Sequence, residues 1–197
     1  MRVIPDVDAN AERSEKQKEE NSKFGFLSNM LNQNIEYLKI GYPNVYQPLN
    51  YAIKKNISLV SKTENGFEFD FSKAAFSEGK LAPCSPNATL KLSCINTATN
   101  PFSLRYQFLN DYPNEQQADN DSIICILYFL DSKELYLFYS IHTRGSYQMP
   151  PRCYVRNLNE FSNRIASCSL FFFNKKNKNP FKSSKTIYFG TIQLHWH

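Results

Sequence analysis

The sequence predicts an α+β fold in which N-terminal helices pack on a mainly antiparallel β-sheet. Three observations support it. Apolar residues at helical spacing cluster before Lys55. Beyond that point short runs of β-branched and aromatic residues dominate, in a chain with 16 Phe and 12 Tyr against 6 Gly, and flat rings beside branched neighbours suit a pleated surface. Two of those runs, within residues 122–142, flank the polar break Asp131-Ser132-Lys133 and read as a central hairpin. Its first run, Ile123 to Leu130, is apolar at every position, so it is expected in mid-sheet with both faces covered.

Taken in order, residues 1–22 are polar and charged without an apolar stripe, and are expected to form a flexible charged tail ahead of a single domain, 23–197. Phe24, Leu27, Leu31, Ile35 and Leu38 then recur at spacings of three and four, making one apolar face of a helix that Gly41 and Pro43 stop. A short helix near Pro48 turns Leu49, Ala52 and Ile53 inward. Strands are expected over 57–61 and 67–71, joined through Asn65-Gly66, a pair suited to the positive φ of a tight turn. Gly79, Pro83 and Pro86 make 77–87 a loop, and strands over 89–95 and 103–109 precede an acidic surface loop, 110–121. After the central hairpin, Gly145, Pro150 and Pro151 interrupt regular structure, and Asn157 or Asn159 would cap a short helix through Arg164. A last strand pair, 169–173 and 186–194, encloses the basic loop NKKNKNPFKSSK.

At 197 residues and 42% hydrophobic, the chain suits one well-buried domain. Its apolar runs fall far short of the roughly 20 residues a spanning helix needs. The start carries acids and Pro5 where a secretory signal would be basic and then apolar, so neither membrane insertion nor export is expected, and a cytoplasmic location is. Cys84, Cys94, Cys125, Cys153 and Cys168 are odd in number and contain no Cys-X-X-Cys pair, a pattern that predicts reduced, mostly buried thiols. No phosphate-cradling glycine loop, Gly-x-Ser-x-Gly elbow or dinucleotide fingerprint is present, which disfavours nucleotide-cofactor enzymes.

The net charge of +5 is unevenly placed. Residues 131–197 hold a surplus of basic residues, whereas residues 1–130 are slightly acidic. Arg144, Arg152 and Arg156 interleave with Tyr147, and Lys175, Lys176, Lys178 and Lys182 follow on one loop. Ammonium groups neutralise phosphates, guanidinium groups bond them bidentately, and aromatics stack on unpaired bases, so these eight residues are the candidate nucleic-acid contacts. A solvated basic surface has the same composition.

Asp111, Asp131 and Lys133 form a sharper pattern. Asp111 closes one expected strand, and Asp131 and Lys133 close the next. This arrangement resembles the D…(D/E)xK pattern of the PD-(D/E)xK nuclease superfamily. The resemblance implies that Asp111 and Asp131 hold Mg²⁺ while Lys133 orients or activates the attacking water. Asn110, and no proline, directly precedes Asp111, and Asp-Ser-Lys also reads as a polar hairpin turn. Asp70 with Glu78-Gly79-Lys80 gives a second version of the spacing. His195-Trp196-His197 resembles the metal motif of the HUH nucleases, without the Tyr-x-x-Lys helix that would follow. His142 near Arg144 would suit a general base beside a phosphate-binding arginine.

The expected function is nucleic-acid binding, in its sharp form a small Mg²⁺-dependent DNA endonuclease of restriction type, with a homodimer compatible. The alternative is a non-enzymatic inhibitor or immunity-type factor that covers an acidic protein with its basic face. It follows from the lack of a strong catalytic signature.

Overall fold

The computed structural model describes residues 14–82, 84, 88–97, 100–109, 121–140, 164–174 and 182–194. Helix α1 (Glu15–Asn32) opens on a capping box in which Ser14 and Gln17 exchange side-chain-to-backbone hydrogen bonds. Lys18 pairs with Glu15, and Lys23 with Glu19 and Glu20, one turn apart. The charged tail expected to reach residue 22 is therefore helical from Glu15, stabilised by caps and pairs that need no apolar stripe.

The single helix expected through Leu38 is two. α1 ends at Asn32, and α2 (Ile35–Gly41) begins after Asn34, whose side-chain amide donates to the Met30 carbonyl and, at 3.4 Å, to the Leu135 carbonyl of the sheet. Leu27, Leu31 and Leu38 are buried as the periodicity requires, while Phe24 is 45% exposed. α3 (Pro48–Asn56) starts with proline in its first turn, where the missing N–H costs nothing, and buries Ala52 and Ile53.

β1 (Val60–Thr63) and β2 (Gly66–Phe69) form the hairpin announced by Asn65-Gly66, with Gly66 at φ 109°. Both strands are shorter than expected, because Ile57–Leu59 and Phe71–Lys73 wind into 3-10 turns. β3 (Thr89–Thr97) and β4 (Asn100–Leu109) pair antiparallel with each other.

The main sheet runs β6-β5-β7-β8, with β9 also on β7. β5 (Asp121–Phe129) and β6 (Glu134–Ser140) form the expected hairpin, but only β5 is central, since β6 ends the described strand order. β7 (Ile165–Asn174) lies antiparallel to β5 on its other side. β8 (Lys182–Ser183) and β9 (Ile187–Gln193) share the far edge of β7, a bulge beside Ser169 separating Gly190 from Tyr188 in the register.

Side chains of alternate parity enter different layers, which is why β5 is apolar throughout. Ile124, Ile126, Tyr128, Leu135, Leu137, Phe171 and Phe173 pack against Leu27, Leu31, Leu38 and Ile53 of the helices. Ile123, Cys125, Leu127, Phe129, Phe138, Cys168, Leu170 and Phe172 fill the opposite side, joined by Leu90 of β3, Phe189 of β9 and Leu194. Phe171, Phe172 and Phe173 are all buried, each contributing about 1.5–3 kcal/mol of apolar burial. Cys84, Cys125 and Cys168 are all buried, the surroundings that the cysteine pattern predicted. Among the described residues no helix is long and apolar enough to cross a membrane.

Candidate functional site

The turn between β5 and β6 holds two of the three residues of the nuclease-like pattern. Lys133 adopts φ 57°, and its N–H donates to the Phe129 carbonyl at 2.9 Å, closing a tight turn. Its ammonium donates to the Phe67 carbonyl of β2 at 2.9 Å, which ties the turn to the first hairpin. Asp131 accepts Arg164 Nε at 3.0 Å on Oδ2 and Nη2 at 2.5 Å on Oδ1. The same guanidinium reaches the Ser132 hydroxyl at 2.6 Å and lies 4.2 Å over the Phe129 ring. Arg164, one of the basic C-terminal residues, is thus a clamp between the turn and the start of β7.

This geometry sets what the turn can do chemically. Both Asp131 oxygens accept from Arg164, so a cation at that carboxylate would share it with the guanidinium. Among the described residues no group of three or more His, Cys, Asp or Glu side chains is placed to hold a metal ion. Asp111, the other expected ligand, lies outside the described residues, as do His142, His195 and His197. In the second version of the pattern both acids are also engaged. Asp70 accepts from Ser72 and Lys73, and Glu78 pairs with Lys55 at 2.5 Å and accepts the Tyr51 hydroxyl at 2.7 Å.

The hydrogen bonds from Arg164 hold the Asp131 carboxyl below its ordinary value of 3.8. A carboxyl depressed in the folded state stabilises the fold above its ordinary value, and that stabilisation is lost as pH falls through the folded value. Asp131 is 61% exposed, so screening limits the pair to about 1 kcal/mol or less. Asp131→Asn is expected to flatten the acid limb of the Tm-versus-pH curve below about pH 5. An acid limb identical to that of the parent protein would reject the clamp.

Of the expected nucleic-acid contacts, Lys182 is described and exposed on β8, whereas Arg144, Tyr147, Arg152, Arg156, Lys175, Lys176 and Lys178 lie outside the described residues. The sheet nevertheless fixes where the chain enters both basic stretches. Ser140, the last residue of β6, pairs with Ile123, and Asn174, the last of β7, pairs with Asp121. Lys182 pairs back onto Asn174. Arg164, which follows the first stretch, therefore lies at one end of the sheet, beside Asp131, whereas Ser140, Asn174 and Lys182, which flank the two basic stretches, lie at the other.

A feature that local sequence signals did not indicate adjoins that end. Residues 78–81 run beside β8, with Leu81 N–H donating to the Ser183 carbonyl at 3.1 Å. The Ser183 hydroxyl donates to the Gly41 carbonyl at 3.0 Å, and the Thr186 hydroxyl accepts the N–H groups of Phe76 and Ser77. Lys80, Lys182 and Lys185 are all exposed along this seam. The Lys55 ammonium, then the Tyr51 hydroxyl, hold the Glu78 carboxyl below its ordinary value of 4.5, with smaller help from Lys185. Only the contact of residues 76–81 with residues 183–186, far apart in sequence, brings these side chains to one strip.

Comparison with protein-family models, curated proteins and solved structures finds no match to this chain.

Proposed function

We propose that the protein binds nucleic acid, with DNA as the first ligand to test, through its basic C-terminal third. The observation that supports this reading is the common origin of the two basic stretches: Ser140, Asn174 and Lys182 cluster in the register at one end of the sheet. Residues 141–163 contribute Arg144, Arg152 and Arg156, and residues 175–181 contribute Lys175, Lys176 and Lys178. Both stretches leave the sheet at that end, the first returning at the opposite end through Arg164, and cations on them can act on a single polyanion, with counterion release supplying the affinity. The cleaving form, with Mg²⁺ between Asp111 and Asp131, draws on a carboxylate that Arg164 already occupies, so the proposal is of binding rather than hydrolysis.

Fluorescence anisotropy with a labelled DNA duplex tests it. Micromolar-range affinity at low salt is expected, falling steeply between about 50 and 200 mM salt. Arg144→Glu combined with Arg152→Glu and Arg156→Glu should abolish most of it. No binding at low salt, or unchanged affinity in the triple variant, would remove the reading. Plasmid incubated with Mg²⁺ is expected to stay intact; cutting that Asp131→Ala abolishes would reinstate the nuclease form.

A further inference from the structure

We infer that the seam between residues 78–81 and β8 is a phosphate-backbone track, on which Lys80, Lys182 and Lys185 meet successive phosphates without reading base sequence. The inference rests on the nucleic-acid reading and extends it to a surface, and to a residue, Lys80, outside the basic third. Three properties of the seam support it.

The first is charge. The three exposed lysines share the strip with Glu78, whose carboxylate is already paired with Lys55 and bonded to Tyr51, while the nearby Asp121 is buried and accepts the Asn174 amide. Lys55 also lies 5.2 Å from the centre of the Tyr51 ring, so the neutralising pair is held from two sides. The positive charge of Lys80, Lys182 and Lys185 is left facing solvent.

The second is rigidity. Gly79 lies so close to the Ser183 carbonyl that a Cβ there would fall on backbone atoms, and the bonds of Leu81, Ser183 and Thr186 fix the two segments together. Lysines carried on such a backbone lose less freedom on binding than lysines on a free loop.

The third is chemistry. An ammonium on a flexible stem is a point charge suited to phosphate, whereas reading a base edge calls for the planar fork of arginine or an amide. The three exposed cations on the strip are lysines, so it should position the polymer and leave sequence unread. Lys182 pairs with Asn174, which places the track beside the end from which both basic stretches depart.

The test compares salt-dependent DNA affinity of the full chain with that of Lys80→Gln/Lys185→Gln and of Glu78→Gln, each checked for an unchanged melting curve. The lysine variant should lower the slope of log K against log salt by about 0.9 for each phosphate that is no longer neutralised. Glu78→Gln should raise affinity, a gain that a merely structural role for the seam would not produce. A.T-rich and G.C-rich duplexes should bind the parent protein alike. Lys16→Gln/Lys62→Gln, on α1 and β1, serves as the control and should leave the slope in place. If the parent binds DNA but the seam variants match it, the track is wrong and the broader reading survives. If the parent ignores DNA and binds polyglutamate instead, both fall and an acidic protein partner takes their place.

Discussion

Replacing Gly79 with alanine is expected to lower stability by about 3 kcal/mol and Tm by about 9 °C. The cause is space rather than backbone conformation, since the positive-φ glycines of the described chain are Gly66 and Gly190. A methyl group at Gly79 would meet the carbonyl oxygen and carbon of Ser183, together with its hydroxyl. Carbonyl atoms cannot rotate aside as a side chain would. Relief requires moving β8 from residues 78–81, which strains the Leu81 to Ser183 hydrogen bond and the Ser183 hydroxyl bond to Gly41. Gly25 is the natural comparison, because it lies inside α1 and a Cβ there meets nothing within 4 Å. Gly25→Ala should gain up to about 1 kcal/mol of helix propensity. Thermal and urea unfolding of the two variants measures the contrast, and equal stabilities would show that the seam is looser than its geometry indicates. Because the methyl group pries Lys80 from Lys182 and Lys185, Gly79→Ala should also weaken DNA binding.

The parts of this fold legible in the sequence are those in which a local signal and the tertiary environment agree. β5 could be placed because an unbroken apolar run has no stable position except between two covered faces, and both of its parities are buried. Asn65-Gly66 marked its turn because the backbone there needs a positive φ. The start of α1 was also written locally, in Ser14 and Gln17, but hidden by the absence of an apolar stripe in its first turns. The break at Asn34 was not legible, because its side chain bonds a carbonyl at Leu135, a residue on another element. The site followed the same division. Asp131 and Lys133 fell on the turn that their composition allowed, yet nothing near Asp131 indicated that Arg164, beyond a whole strand and connection, would hold both carboxylate oxygens. Charge along the chain identified the basic third but could not show that Lys80 lies beside it.

Asn56→Leu is expected to cost about 3 kcal/mol, the second large effect, because one buried amide satisfies the turn that leads into the seam. Asn56 is fully buried at the end of α3. Its Oδ1 accepts the Ala75 N–H at 2.8 Å, while Nδ2 donates to the carbonyls of Ala75 at 2.7 Å and Ala52 at 2.8 Å. Leucine fills the space but leaves the partly buried Ala75 N–H without that acceptor, and an unsatisfied donor out of reach of water costs about 1–3 kcal/mol. Asn56→Asp separates hydrogen bonding from volume. The carboxylate still accepts from Ala75 N–H but faces two carbonyl oxygens, so burial and repulsion should raise its folded pKa above the unfolded value near about 3.9. A carboxyl raised in the folded state is tolerated when protonated, and its penalty grows as pH rises through the interval between the two values. Asn56→Asp should therefore approach parental stability at low pH and lose it toward neutrality, whereas Asn56→Leu should differ from the parent by a nearly constant amount. Tyr42 supplies the internal control, because its hydroxyl also donates to the Ala75 carbonyl, at 2.6 Å. Tyr42→Phe alone should cost about 1 kcal/mol, and combined with Asn56→Leu it should cost more than the sum, since the Ala75 carbonyl then loses both side-chain donors. Strict additivity in that cycle, or a pH-independent Asn56→Asp, would show that the two side chains do not share this backbone group.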